Sequence, residues 1–153
     1  MKKTIIMSLL LIFSVNFFAQ TISENFPTEK RTSLTVGLLQ GGGSLVGADF
    51  EALLTDKFGV QIGAGLVGYG AALNYHFKPS IRSSYLSLMY WHQGAGSSFT
   101  QSVIGPNFVF RGRRWFTAQI GLGFALDKGP AFPATMTQPP VMLMYSIGAY
   151  FPL

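Results

Sequence analysis

Long stretches of this chain alternate strictly between a large apolar residue and a small or polar one. From Phe116 to Leu126, the residues Phe116, Ala118, Ile120, Leu122, Phe124 and Leu126 share one face of an extended chain, and Thr117, Gln119, Gly121, Gly123 and Ala125 share the other. Side chains that change sides at every residue define a β-strand with two unlike faces. The pattern returns at 44–54, where Val46, Ala48, Phe50, Ala52 and Leu54 oppose Gly47, Asp49 and Glu51. It returns at 58–66, where Phe58, Val60, Ile62, Ala64 and Leu66 oppose Gly59, Gln61, Gly63 and Gly65, and at 69–77, where Tyr69, Ala71, Leu73, Tyr75 and Phe77 oppose Gly70, Ala72, Asn74 and His76. Helices fit poorly, because glycine cuts nearly every candidate segment and costs about 1 kcal/mol against alanine inside a helix. Turn signals divide the chain after residue 32 into eight segments: 33–40, 44–54, 58–67, 69–78, 84–92, 99–110, 115–126 and 141–153. Most run about 9–12 residues, the length of a tilted strand that crosses a bilayer; strands of soluble sheets run about 5–6.

Charge decides which face meets the solvent. Charged residues make up 11% of the chain, where a soluble domain carries about 25%. A soluble sandwich or a lipocalin-like barrel would turn its polar faces outward and fill them with ions. Here those faces hold mostly Gly, Thr, Ser, Gln and Asn. Lipid satisfies no backbone hydrogen bond, so a sheet facing lipid must close on itself. The expected fold is therefore all-β: a closed, antiparallel, eight-stranded transmembrane up-and-down β-barrel over residues 33–153. Its interior is narrow enough to be filled by side chains, which gives Gly59, Gly63, Gly65, Gly121, Gly123 and Gly148 a steric reason to face inward. Two segments fit less cleanly. In 84–92, both Leu86, Leu88, Tyr90 and Tyr85, Met89, Trp91 suit the apolar face. In 99–110, Pro106 implies a bulge or a local break in the ladder.

Met1-Lys2-Lys3, an uncharged apolar run from Thr4 to Phe18 and the small Ala19 have the parts of a secretory signal peptide. Residues 1–19 are read as that leader, and 20–32 as an N-terminal extension ahead of the barrel. Removing the leader lowers Lys+Arg from 11 to 9 against 6 acids, and the formal net charge from +5 to +3. No concentrated basic face remains to bind nucleic acid. The absence of cysteine excludes disulfide scaffolds, thiol catalysis and cysteine-ligated metals, and two histidines are too few for an evident transition-metal site. No cofactor is expected.

The chain ends Ser146-Ile147-Gly148-Ala149-Tyr150-Phe151-Pro152-Leu153. This resembles the C-terminal signature of bacterial outer-membrane barrels, with Ser146, Gly148, Phe151 and Leu153 at the matching positions; Pro152 and a terminal leucine depart from it. With the leader and the eight segments, the mature chain resembles small eight-stranded outer-membrane barrels of the OmpA/OmpX type, and the Phe17-Phe18-Ala19-Gln20 end of the leader resembles export signals of Bacteroidetes. The resemblance implies an outer-membrane location, recognition of the last strand by the barrel-assembly machinery, and both termini in the periplasm. Periplasmic turns then fall at 55–57, 78–83 and 111–114, and outer loops at 41–43, 68–69, 93–98 and 127–140. Lys57, Lys78, Arg82, Arg111, Arg113 and Arg114 land on the periplasmic side; the preferred reading is that charges collect in turns because the strands cannot hold them, and the alternative is a basic rim that meets inner-leaflet phosphates or an acidic envelope protein. Tyr75, Phe77, Trp91, Phe99, Phe110, Trp115 and Phe116 read as interfacial girdles.

Three groups of residues have chemical potential. Asp49 and Glu51 lie two apart on one inward face, with His76 two strands away. They suit acid–base or cation chemistry, or a polar plug whose charges find partners in Lys57, Arg111 or His76; the plug is preferred. His92, Ser97 or Ser98, and Asp127 are the residue types of a hydrolytic triad at the outer mouth, which makes a lipid hydrolase resembling lipid A deacylases the alternative function. Gly41-Gly42-Gly43 lacks the Gly-Lys-Ser/Thr of a phosphate loop and reads as a flexible hairpin, and the prolines of 127–140 mark a stiff loop suited to an external partner. The function expected is a non-enzymatic integral outer-membrane barrel in contact with lipid, structural or acting through its loops.

Overall fold

The computed structural model describes residues 29–153. Residues 1–19, read as a leader, and most of the 20–32 extension lie outside the described residues. Eight strands pair in chain order: β1 (Thr32–Leu38), β2 (Val46–Leu53), β3 (Phe58–Gly65), β4 (Gly68–His76), β5 (Tyr85–Ala95), β6 (Ser98–Arg111), β7 (Phe116–Lys128) and β8 (Val141–Pro152). Every neighbouring pair is antiparallel, and β1 closes on β8 from Ser33↔Pro152 to Leu38↔Ile147. The molecule is an up-and-down barrel, and its only described helical element is one turn, α1 (Gln40–Gly43).

All eight expected segments are strands, with ends displaced by a few residues. β5 runs on to Ala95 because the backbone ladder continues wherever partners exist, and Gln101 Nε2 donates to Gln93 Oε1 at 2.7 Å on the added stretch. The ladder between β6 and β7 lapses at Gly105 and Pro106, between the pairs Ile104↔Phe124 and Asn107↔Gly121, as a residue without an N–H requires. A separate register shift at Ser102/Val103 leaves Leu126 unpaired. The ambiguity in β5 resolves with Tyr85, Met89 and Trp91 inside and Leu86 and Leu88 outside.

The distribution of side chains is inverted relative to a water-soluble domain. Among the described residues, 31 large hydrophobics are exposed, while only 10 hydrophobic residues are buried against 18 buried polar or charged ones. Soluble proteins bury their aliphatic residues and expose their ions. Here Phe116, Ile120 and Phe124 point outward, and Glu51, His76, Asn74 and Arg111 line the interior. Trp91 corrects the girdle assignment: it is buried within the barrel, packed with Ala72, Met89, Val103 and Met144, because its parity on β5 is that of Met89. Tyr75, Phe77, Phe110, Trp115 and Phe116 are exposed, in the ring pairs Phe58–Tyr75, Phe77–Phe108, Phe110–Phe116 and Trp115–Phe116.

The two rims differ in charge. The rim that carries the described start and end of the chain, with the turns 54–57, 77–84 and 112–115, holds Lys30, Arg31, Lys57, Lys78, Arg82, Arg113 and Arg114 against Glu29 and Asp56, the latter 3.4 Å from Arg31. The opposite rim, with the connections 39–45, 66–67, 96–97 and 129–140, holds only Asp127 and Lys128. These are called the terminal rim and the far rim below.

Candidate functional site

Alternation along β1, β2, β4, β5 and β6 sends Ser33, Glu51, Asn74, His76, Tyr85 and Arg111 into the terminal end of the lumen. Glu51 is the hub. Its Oε2 lies 2.6 Å from Arg111 Nη2 and its Oε1 lies 2.9 Å from His76 Nε2. Asn74 Nδ2 donates to Oε1 at 2.5 Å and Ser33 Oγ donates to Oε2 at 3.4 Å. Arg111 also donates to Ser33 Oγ at 2.9 Å and to the Ile81 carbonyl. Its guanidinium sits between two rings, 5.0 Å from the centroid of Tyr85 and 4.7 Å from that of Tyr150. His76 stacks on Tyr85 at 4.6 Å. Removing two charges from water is costly unless each meets the other with good geometry; both Glu51 oxygens are paired here, while His76 Nδ1 and Arg111 Nε are buried without a partner. The buried Ile81, carried by the 77–84 turn, closes the mouth beneath it.

The preferred plug reading therefore acquires geometry for Glu51 and His76. Of the three partners named for its charges, Arg111 and His76 both meet Glu51, while Lys57 is exposed and takes no part, because its turn carries it onto the rim. The separate rim reading of Arg111 is corrected: it is buried, because it is the last inward position of β6. Asp49 reaches the cluster only through Gln61, whose Oε1 accepts from Asn74 Nδ2 at 3.1 Å and from Tyr85 OH at 3.2 Å, and its own Oδ2 accepts the Gly41 N–H at 3.2 Å. Tyr85, Tyr150, Ser33, Asn74 and Ile81 were not singled out from sequence. Parity places Tyr150, Ser33 and Asn74 inside and leaves Tyr85 open, because both faces of 84–92 are apolar, and nothing local says which of them meet across the lumen.

The far end closes differently. Gly41-Gly42-Gly43 is not a flexible exposed hairpin. It is α1, folded into the barrel mouth, with φ of 62°, 83° and 76°. These left-handed values cost a residue with a Cβ about 1–2 kcal/mol. A Cβ on Gly42 would lie 2.2 Å from the Tyr69 carbonyl oxygen, and one on Gly43 2.7 Å from the Trp91 ring. Backbone thus fills space that no side chain fits. Gly63 makes room for Asp49, whose Oδ1 would lie 1.7 Å from an added Cβ. The space bounded by Asp49, Gln61, Met89 and Trp91 has no room for a water molecule.

The triad residues are not brought together. Ser98 is exposed beside the 96–97 turn, while His92 Nδ1 lies 2.8 Å from Ser102 Oγ. Ser102, which sequence reasoning passed over, pairs in register with both His92 and Asp127. Asp127 is exposed, and among the described residues no hydrogen bond links it to His92 or Ser102. Tyr69 and Phe99 cover the imidazole, each with its centroid 4.7 Å away. No aspartate–histidine–serine relay is assembled, and Ser102 is buried. The 129–140 loop lies against β6 through Gly129 N to Thr100 O and Ala131 N to Phe99 O. No group of three or more His, Asp or Glu that could hold a metal occurs among the described residues.

On the last strand, Ser146 and Gly148 face the lumen, where Ser146 Oγ donates to Gln119 Oε1 at 3.4 Å, and Phe151 and Leu153 are exposed. No protein-family model, curated protein or solved structure matches the chain.

Proposed function

We propose that this chain is an integral outer-membrane β-barrel, exported by residues 1–19, that acts as a sealed, non-enzymatic scaffold and presents its rims to lipid and to envelope partners. The observation that carries the reading is the inverted surface: an exposed apolar wall around a polar, hydrogen-bonded lumen. In water that wall would be a large unpartnered patch; against acyl chains it is the favourable solvent-facing surface. Phe151 and Leu153 stand exposed on the closing strand, where the barrel-assembly machinery would read the terminal signal. Closure of the lumen at both ends argues against a diffusion pore, which needs a wider barrel.

Fractionation of cells expressing the full chain tests the reading. The protein is expected in the outer-membrane fraction, migrating faster on a gel before boiling than after it. Recovery in a soluble fraction, with mobility indifferent to boiling, would overturn the proposal.

A further inference from the structure

The 77–84 turn carries a feature that lumen closure does not explain. Outside the plugged mouth it forms a cavity of ≈ 330 Å³ lined by Lys78, Arg82, Ser80, Ser84 and the edge of Arg111, within the range of small-ligand pockets. Among the described residues neither Lys78 nor Arg82 has an ion-pair partner. Ser80 Oγ accepts the Arg82 N–H at 3.3 Å and Ser84 Oγ accepts the Arg111 N–H at 3.0 Å, so both hydroxyl protons remain available to donate. The turn is held in place: Lys78 N donates to Ser83 Oγ at 2.9 Å, Ser83 N donates to Ser80 O at 3.0 Å, and Ile81 is anchored in the lumen. Two cations and two hydroxyl donors on a fixed loop, with no acid to neutralise them, are the donor set of a phosphate site.

We propose that this cavity binds the phosphate of an anionic lipid headgroup. The inference rests on the membrane reading above and names a ligand for the terminal rim. The cavity is also walled by Phe77, which is exposed on the outer face and paired with Phe108 at 6.1 Å. It therefore opens where the apolar wall meets the basic rim, so that a phosphate seated there leaves its acyl chains along Leu86 and Leu88. Free phosphate shares the charge but cannot use that wall.

The test is native mass spectrometry of the folded barrel released from micelles containing phosphatidylglycerol. Wild type is expected to retain one lipid. Lys78→Ala/Arg82→Ala is expected to lose retention, about fivefold for each cation removed. Lys78→Arg/Arg82→Lys is expected to keep it, as is Arg113→Ala/Arg114→Ala, which removes the same charge from another turn of the rim. Equal loss in both alanine pairs, or equal retention in all variants, overturns the site. Retention of inorganic phosphate in place of lipid assigns the cavity to the free ion, and displacement of the lipid by hexaglutamate assigns it to an acidic protein; either overturns the lipid assignment. Unboiled gel mobility and fractionation of the same samples separate failure of the site from failure of the membrane reading.

Discussion

The lumen is closed at its terminal end by charge and at its far end by backbone. At the terminal end Glu51, Arg111 and His76 are long side chains from three strands, stacked with Tyr85 and Tyr150, and their geometry meets the cost of burial. At the far end α1 inserts three consecutive glycines, and Asp49 holds them through a single acceptor bond to Gly41. The contrast shows two solutions to one problem. An eight-stranded barrel leaves a narrow space, and it can be filled by polar side chains paired across it or by chain that has no side chains at all. The first should tolerate paired replacement and fail when one partner is lost. The second should fail whenever a Cβ is added.

The largest effect is expected at the ionic end. Glu51→Ala leaves Arg111 buried without its counter-charge, which should destabilise the barrel by about 3–5 kcal/mol. Urea unfolding in micelles, followed by loss of the fast-migrating form, measures it. The double variant Glu51→Met/Arg111→Met should lose distinctly less, because apolar pairs of similar volume often replace buried ion pairs at little cost; a double variant as damaged as the single one would break the comparison. At the glycine end, Gly42→Ala meets both a left-handed backbone and the Tyr69 carbonyl, and an expected loss of about 2–3 kcal/mol is read by the same unfolding curve. Gly96→Ala sharpens the point. Gly96 also has a left-handed φ of 56°, but nothing lies within 4 Å of an added Cβ. Only the conformational term, about 1 kcal/mol, should remain. Equal losses at Gly42 and Gly96 would mean that α1 is not a packed plug.

Much of the architecture was legible along the chain, and particular residues show why. Phe116, Ile120 and Phe124 announce their face by spacing alone, since a strand allows no other arrangement. Trp91 was misplaced among the girdle residues because both faces of 84–92 are apolar, and parity without polarity names no side. The triglycine was misread because glycine permits both a loose hairpin and a left-handed turn; only the close approach of Tyr69 and Trp91 selects the second. Ser102 went unnoticed beside Ser97 and Ser98 because its meeting with His92 depends on the register of β5 against β6, which lies beyond any local motif.

Alternating polarity determined most of the strands and the side toward which their residues turn, since both follow from a two-residue repeat, while their number came from turn signals and from the even count a closed barrel of this kind needs. Which inward residues touch is different in kind. Glu51 and Arg111 come from β2 and β6, far apart in the sheet order, and their meeting is set by how the closed sheet tilts and staggers. That geometry belongs to the barrel as a whole, and so only the tertiary structure decided it.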